Sequence, residues 1–153
     1  MATNFNELAH NVVTARKNWG APEDFKLREC VPKKEYEGKT ITIDSVVVMN
    51  KLKRDKETKE VVKTKDGKDI YEPIVYVAYG GDKFLVSKSA ILVEQLERFS
   101  GKKLVAYEKK DFVVGELEGV TVKLTNEKVK YRDGKDYDLL IFADAEWVVG
   151  TVN

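Results

Sequence analysis

The chain has one cysteine, Cys30, and one histidine, His10, in 153 residues. A lone cysteine excludes an internal disulfide framework and points to a reducing, cytosolic setting. The two residues together leave no short-spaced His/Cys cluster for a metal, so no metal or cofactor is expected. A His10–Cys30 catalytic pair would have to close across an irregular connector, with no motif around either residue. A solvated imidazole and an inert thiol are the plainer reading. No apolar run approaches a membrane span, and the first residues lack the basic-then-apolar order of a secretory signal. A glycine-rich phosphate loop is missing too, because Gly80-Gly81 has neither the lysine nor the helix context such a loop needs. The stretch RDGKDYD (132–138) lacks the alternate acidic positions and the closing glutamate of a calcium loop. No motif singles out a carboxylate pair, and an enzyme is not expected. Charge of one sign is not in excess either. The net charge is +1, so the field of the whole molecule explains no partner.

What the chain does have is local charge. KLKRDKETKEVVKTKDGKDI (51–70) holds eight Lys/Arg against five Asp/Glu. It lies between two strand-like segments, too long for a tight hairpin and too polar for a core. The last sixteen residues carry three acidic side chains and no basic one. Charge-dense segments are most often solvated surface. The arm's plainest reading is therefore a mobile hairpin tip kept soluble by charge. EVVKTKDGKDIY suggests a ribbon, with Val61 and Val62 as its few apolar residues.

Residues 4–18 are predicted as a helix, with Phe5, Leu8, Ala9, Val12 and Ala15 on one face. Asn4 and Glu7 suit its N-terminus, and Gly20 and Pro22 end it. Residues 21–38 read as a connector. KTITIDSVVVMN then shows period two, with Ile41, Ile43, Val47 and Met49 on one face. Val46 and Val48 imply that its far end is covered on both sides. Beyond the arm, IYEPIVYVAYGGDKFLVS reads as a hairpin turning at Gly80-Gly81, where glycine accepts positive φ. Pro73 marks a strand start or an edge. SKSAILVEQLERFSG is a short helix, capped by Ser87 or Ser89 and stopped by Gly101. KKLVAYE, FVVGELEGVTVKL, EKVKY and YDLLIFAD are strand-like. Turns are expected at Lys110-Asp111, Asn126-Glu127 and Asp133-Gly134, with a bend at Gly115 and Gly119.

From residue 39 the order is strand, long loop, strand, tight hairpin, strand, helix, then strands. This order resembles the OB-fold, a five-stranded Greek-key barrel with its helix between the third and fourth strands. The size and the lysine-rich first loop resemble the single-stranded-DNA-binding proteins of bacteriophages. The expected organisation is an N-terminal helix and connector (1–38) and a mainly β, OB-fold-like barrel (39–153) with an extended basic loop (51–69). Many bacterial proteins of this function end in an acidic tail closing on Pro-Phe. This chain ends EWVVGTVN, which speaks against recruitment of partners through such a tail. The first helix and the apolar tail are candidates for packing on the barrel or for a homodimer contact.

The resemblance implies passive binding of single-stranded DNA, part of DNA replication, with no membrane involved. Such binding needs cations along the phosphates and aromatic faces under the bases. In the arm, Lys51, Lys53, Arg54, Lys63 and Lys65 are the candidates for phosphate. Tyr71, Tyr76, Tyr79 and Phe84 on the central hairpin are candidates for stacking. Tyr107 and Phe112 flank Lys109 and Lys110, and Tyr131 lies between Lys130 and Arg132. Taken singly, each tyrosine is better explained as core. As a set interleaved with lysine they form a candidate surface. A structural or protein-interaction β-barrel fits the near-zero charge and the acidic last stretch equally well.

Overall fold

The computed structural model describes residues 21–55, 57–131 and 134–143. The expected first helix, His10, Arg132 and the apolar tail lie outside them. The elements, in chain order, are β1 (Glu29–Cys30), α1 (Lys33–Tyr36), β2 (Thr40–Leu52), β3 (Tyr71–Tyr79), β4 (Lys83–Ser87), α2 (Ala90–Ser100), β5 (Lys110–Val113), β6 (Thr121–Lys130) and β7 (Asp136–Phe142). Two 3-10 turns, Glu23–Phe25 and Gly115–Leu117, complete them.

The fold is mainly β, a curled open sheet of seven strands in the order β1-β4-β3-β2-β6-β7, with β5 also on β2. Five strands were expected. The count grows by the two-residue β1, parallel to β4, and by β7, which lies within the stretch YDLLIFAD read as strand-like and pairs with β6. The helix α2 therefore follows the fourth strand in chain order rather than the third. The long β2 organises the sheet. One edge pairs with β3 from Ile43 to Leu52. The other takes β6 at Thr40–Thr42 and β5 at Val47–Asn50.

Local signals operate where they were read. Ser89 Oγ accepts from the Leu92 amide at 3.1 Å, and Gly101 closes α2 at φ 69°. Gly80 and Gly81 turn the β3–β4 hairpin at φ 65° and 79°. Pro73 lies in β3 before its pairing with β4 begins at Val75, so its missing N–H breaks no ladder there. Other expectations need correction. Lys102–Glu108 forms no strand, Lys110-Asp111 lies inside β5, and β6 runs without a turn through Asn126-Glu127.

The alternation expected along β2 is broken. The register with β3 shifts between Ile43 and Ser45, a bulge that inserts one residue and exchanges the faces beyond it. Val46 and Val48, not Val47 and Met49, therefore join Ile41 and Ile43 in the main core. Asp44, at the bulge, accepts from the Gly81 amide at 2.9 Å and from Arg28 Nη1 at 3.0 Å. One carboxylate thus ties the bulge to the hairpin turn and to the segment leading into β1.

The main core lies inside the curl, under α2, and includes Leu85, Leu92, Leu96, Leu117 and Phe142. A second cluster covers the outer face of β2–β4, where Ala21 and Phe25 pack on Val47, Ile74, Tyr76, Ala78 and Phe84. The outermost strand β7 is capped by α2. Gln95 donates to the Phe142 carbonyl (3.0 Å) and accepts from its amide (2.9 Å), satisfying a sheet edge that would otherwise invite pairing.

Candidate nucleic-acid interface

Three of the rings expected to stack bases are not available to do so. Tyr76 and Phe84 share one sheet face, their centroids 6.4 Å apart, but Phe25 closes over them at 6.5 and 5.7 Å. Both are fully buried. Tyr79 points the other way, into the main core. Burial, the largest cause, raises the Tyr76 and Tyr79 phenols above their ordinary range. The physical reason is the covering of both faces of β3: Ile74 through Tyr79 are all buried. The segment 21–30, read as an irregular connector, supplies the cover.

The remaining candidates gather where β2 runs into the arm. Lys51 Nζ donates to the Tyr76 hydroxyl at 2.8 Å and stands 5.1 Å from that ring's centroid. Removal from water lowers the Lys51 pKa; Asp111 opposes that shift and Lys109 adds to it. Antiparallel pairing sets Lys110 opposite Asn50, Asp111 opposite Met49 and Phe112 opposite Val48. The Lys110 ammonium stands 5.2 Å from the Phe112 centroid, a cation–π contact on a half-buried ring. Tyr107, two residues before Lys109, is 83% exposed.

Asn50 holds this loop in place. Its side chain is fully buried in β2. Nδ2 donates to the carbonyls of Leu104 (3.0 Å) and Lys110 (3.2 Å), and Oδ1 accepts from the Ala106 amide (3.0 Å). Glu97 of α2 accepts from the Leu104 amide at 2.8 Å. A segment without strand pairing of its own thereby gains fixed partners for its backbone.

Between this loop, the base of the arm and the start of β3 lies a groove of about 730 Å³. Its floor includes Met49, Leu52 and Ile74. Its walls carry Lys51, Arg54, Lys59, Lys88 and Lys109, against Asp55, Glu72 and Asp111. Glu72 is paired with Lys88 at 3.2 Å. Asp55 Oδ1 accepts from the Glu57 and Thr58 amides (2.8 and 3.0 Å), which lower its pKa.

The arm is not a single ribbon. It makes two successive turns. Asp55 bonds across to Glu60, and Arg54 donates to the Lys59 carbonyl at 3.0 Å. Lys59 takes the left-handed conformation at φ 63°, uncommon for a residue with a side chain. The second turn runs from Thr64 to Lys68. Between the turns, the amides of Lys53, Val62 and Ile70 each bond to a carbonyl within the same trio. Lys53, Lys63 and Lys65 are exposed, Lys63 lies 3.6 Å from Asp69, and Tyr71 is half-buried where β3 begins.

Lys130 and Tyr131 lie elsewhere. Since Thr40 pairs with Lys123, the far end of β6 projects past the start of β2, while the arm projects past its end. Thirteen residues of strand separate the two ends by roughly 40 Å along β2. Tyr131 there contacts Tyr137, ring centroids 4.7 Å apart, and Lys33 pairs with Asp138 at 2.9 Å. The single expected surface is two regions. Asn50, Lys59, Lys88 and Asp111 escaped the sequence reading. The signal for Asn50 was a polar residue ending an otherwise apolar strand run; Lys88 offered none.

Among the described residues no helix is long and apolar enough to cross a membrane. Comparison with family models, with curated proteins and with solved structures gives no match.

Proposed function

We propose that the protein binds single-stranded DNA, passively and with little regard to sequence, at the end of β2 that meets the arm. The observation that carries this reading is the convergence there of Lys51, Arg54, Lys59 and Lys109 around one groove, beside the loop that carries the exposed Tyr107. Cations capture phosphates and flat rings receive unpaired bases, the two requirements of sequence-tolerant binding. An OB-like ancestry is part of the proposal. β2, β3 and β4 form a meander, α2 follows, and β5 and β6 return to the other edge of β2. In that frame the arm is the first-to-second-strand loop, which flanks the binding face of such barrels. The comparison with phage single-strand coating proteins rests on this frame and on the basic arm.

The test is fluorescence anisotropy with labelled oligothymidine across a salt series. Four neutralised phosphates give a log–log salt slope of about −2.8. Deleting residues 54–65 weakens binding and flattens the slope. Tyr107→Ala loses roughly 1–3 kcal/mol, the worth of one stacked base. Absence of binding at low salt, or preference for duplex, overturns the proposal. In that case a protein-interaction module is the better reading, favoured by Leu27, which is 91% exposed.

A further inference from the structure

The groove beside Lys51 differs from the open stacking platform that single-strand binding requires at minimum. It is concave, its volume of about 730 Å³ falls among clefts that hold small ligands, and its floor is apolar with a charged rim, the pattern of such clefts. Two of its cations are constrained. Lys51 is tethered to the Tyr76 hydroxyl and lies over its ring. Lys109 comes from the loop pinned by Asn50 and lies near enough to lower the Lys51 pKa, by less than Asp111 raises it. Two of the three nearby carboxylates are engaged, Glu72 by Lys88 and Asp55 by the amides of its own turn. A rim rich in lysine and arginine and an apolar floor together fit a flat ring carrying a phosphate.

We propose that this groove seats one nucleotide of a bound single strand, its base against Met49, Leu52 and Ile74 and its phosphate between Lys51 and Lys109. The inference rests on the single-strand reading above and adds a discrete seat to it. Most of the strand then lies over the exposed loop and arm, and one base leaves the run to enter the groove. The ring chemistry required is that of any nucleobase, because every base has a flat face.

Titration of the whole protein with thymidine 5′-monophosphate, followed by amide NMR, tests it directly. Shifts are expected at 49–55, 72–74 and 109–111, with competition against labelled oligothymidine. Lys109→Glu, an exposed change, weakens the mononucleotide at least tenfold. Leu52→Trp, which fills the floor, weakens the oligonucleotide. Inorganic phosphate producing the same shifts at the same concentration would reduce the groove to a simple anion point and overturn the seat. Oligothymidine binding with no groove shifts from the mononucleotide, and unchanged by Leu52→Trp, overturns the seat and leaves single-strand binding standing. If neither ligand binds the wild-type protein at low salt, both proposals fall together.

Discussion

Replacing Asn50 by alanine removes three hydrogen bonds at once. The side chain saturates two carbonyls and one amide of the segment between α2 and β5. At about 0.5–1.5 kcal/mol net for each bond, the loss is roughly 2–4 kcal/mol. Loop carbonyls that reach water recover part of this, so the lower half of that range is expected for global stability. For a domain of this size that corresponds to a fall of roughly 5–10 °C in Tm. The local effect is larger. With the clamp gone, the Ala106 amide loses its acceptor, and Tyr107 and Lys109 lose the anchor of the loop that carries them. Urea denaturation measures the first effect, and hydrogen exchange at Ala106 the second. Asn50→Asp is the sharper variant, because it keeps the acceptor for Ala106 but turns a charged oxygen toward two carbonyls. The expected order of stability is wild type, then Asn50→Ala, then Asn50→Asp at neutral pH. An alanine variant that loses less than about 0.5 kcal/mol and keeps Ala106 protected would refute the reasoning. The loop would then be held by Glu97 and its own packing alone.

Tyr76→Ala is expected to destabilise by about 3–5 kcal/mol, as a large ring lost from a core does, whereas Tyr76→Phe keeps the packing with Phe25 and Phe84 and loses only about 1 kcal/mol with the Lys51 bond; equal losses in thermal melts would contradict the burial. Gln95→Ala strips both bonds from the edge of β7 and should cost roughly 1–3 kcal/mol, with concentration-dependent association by analytical ultracentrifugation as the exposed edge finds partners. The Asp138 carboxyl sits below its ordinary 3.8, chiefly through the hydrogen bond from Lys33 and then its charge. A depressed folded pKa gives stability that is present above the unfolded value and lost as pH falls through the folded one. Carboxyl carbon shifts should therefore show Asp138 titrating low in the wild type and returning toward 3.8 in Lys33→Ala; an unmoved midpoint would remove the ion pair from the account.

Much of the local structure was legible in the residues alone. Glycine at positive φ, a serine at the head of α2, alternation at the start of β2 and a proline at the start of β3 are short-range effects, decided within a few bonds. The uninterrupted apolar run IVYVAY also carried a message that was underused. A strand apolar on both faces is a strand covered on both faces, so its tyrosines could not lie open. Nothing local announced the bulge at Asp44, since a single extra residue is invisible until a partner strand supplies the register.

Composition and short-range pattern settled that the described part of this chain is mainly β, with the helix α2 among its strands and a charged arm between β2 and β3. Tertiary structure alone decided which rings are hidden, because the segment 21–30 lies far in sequence from the face it covers. It also parted Tyr131 and Lys130 from the arm. Both regions look alike in sequence, but antiparallel pairing sends one past the start of β2 and the other past its end. Those outcomes depend on which surfaces meet across the fold, and no window of neighbouring residues contains that information.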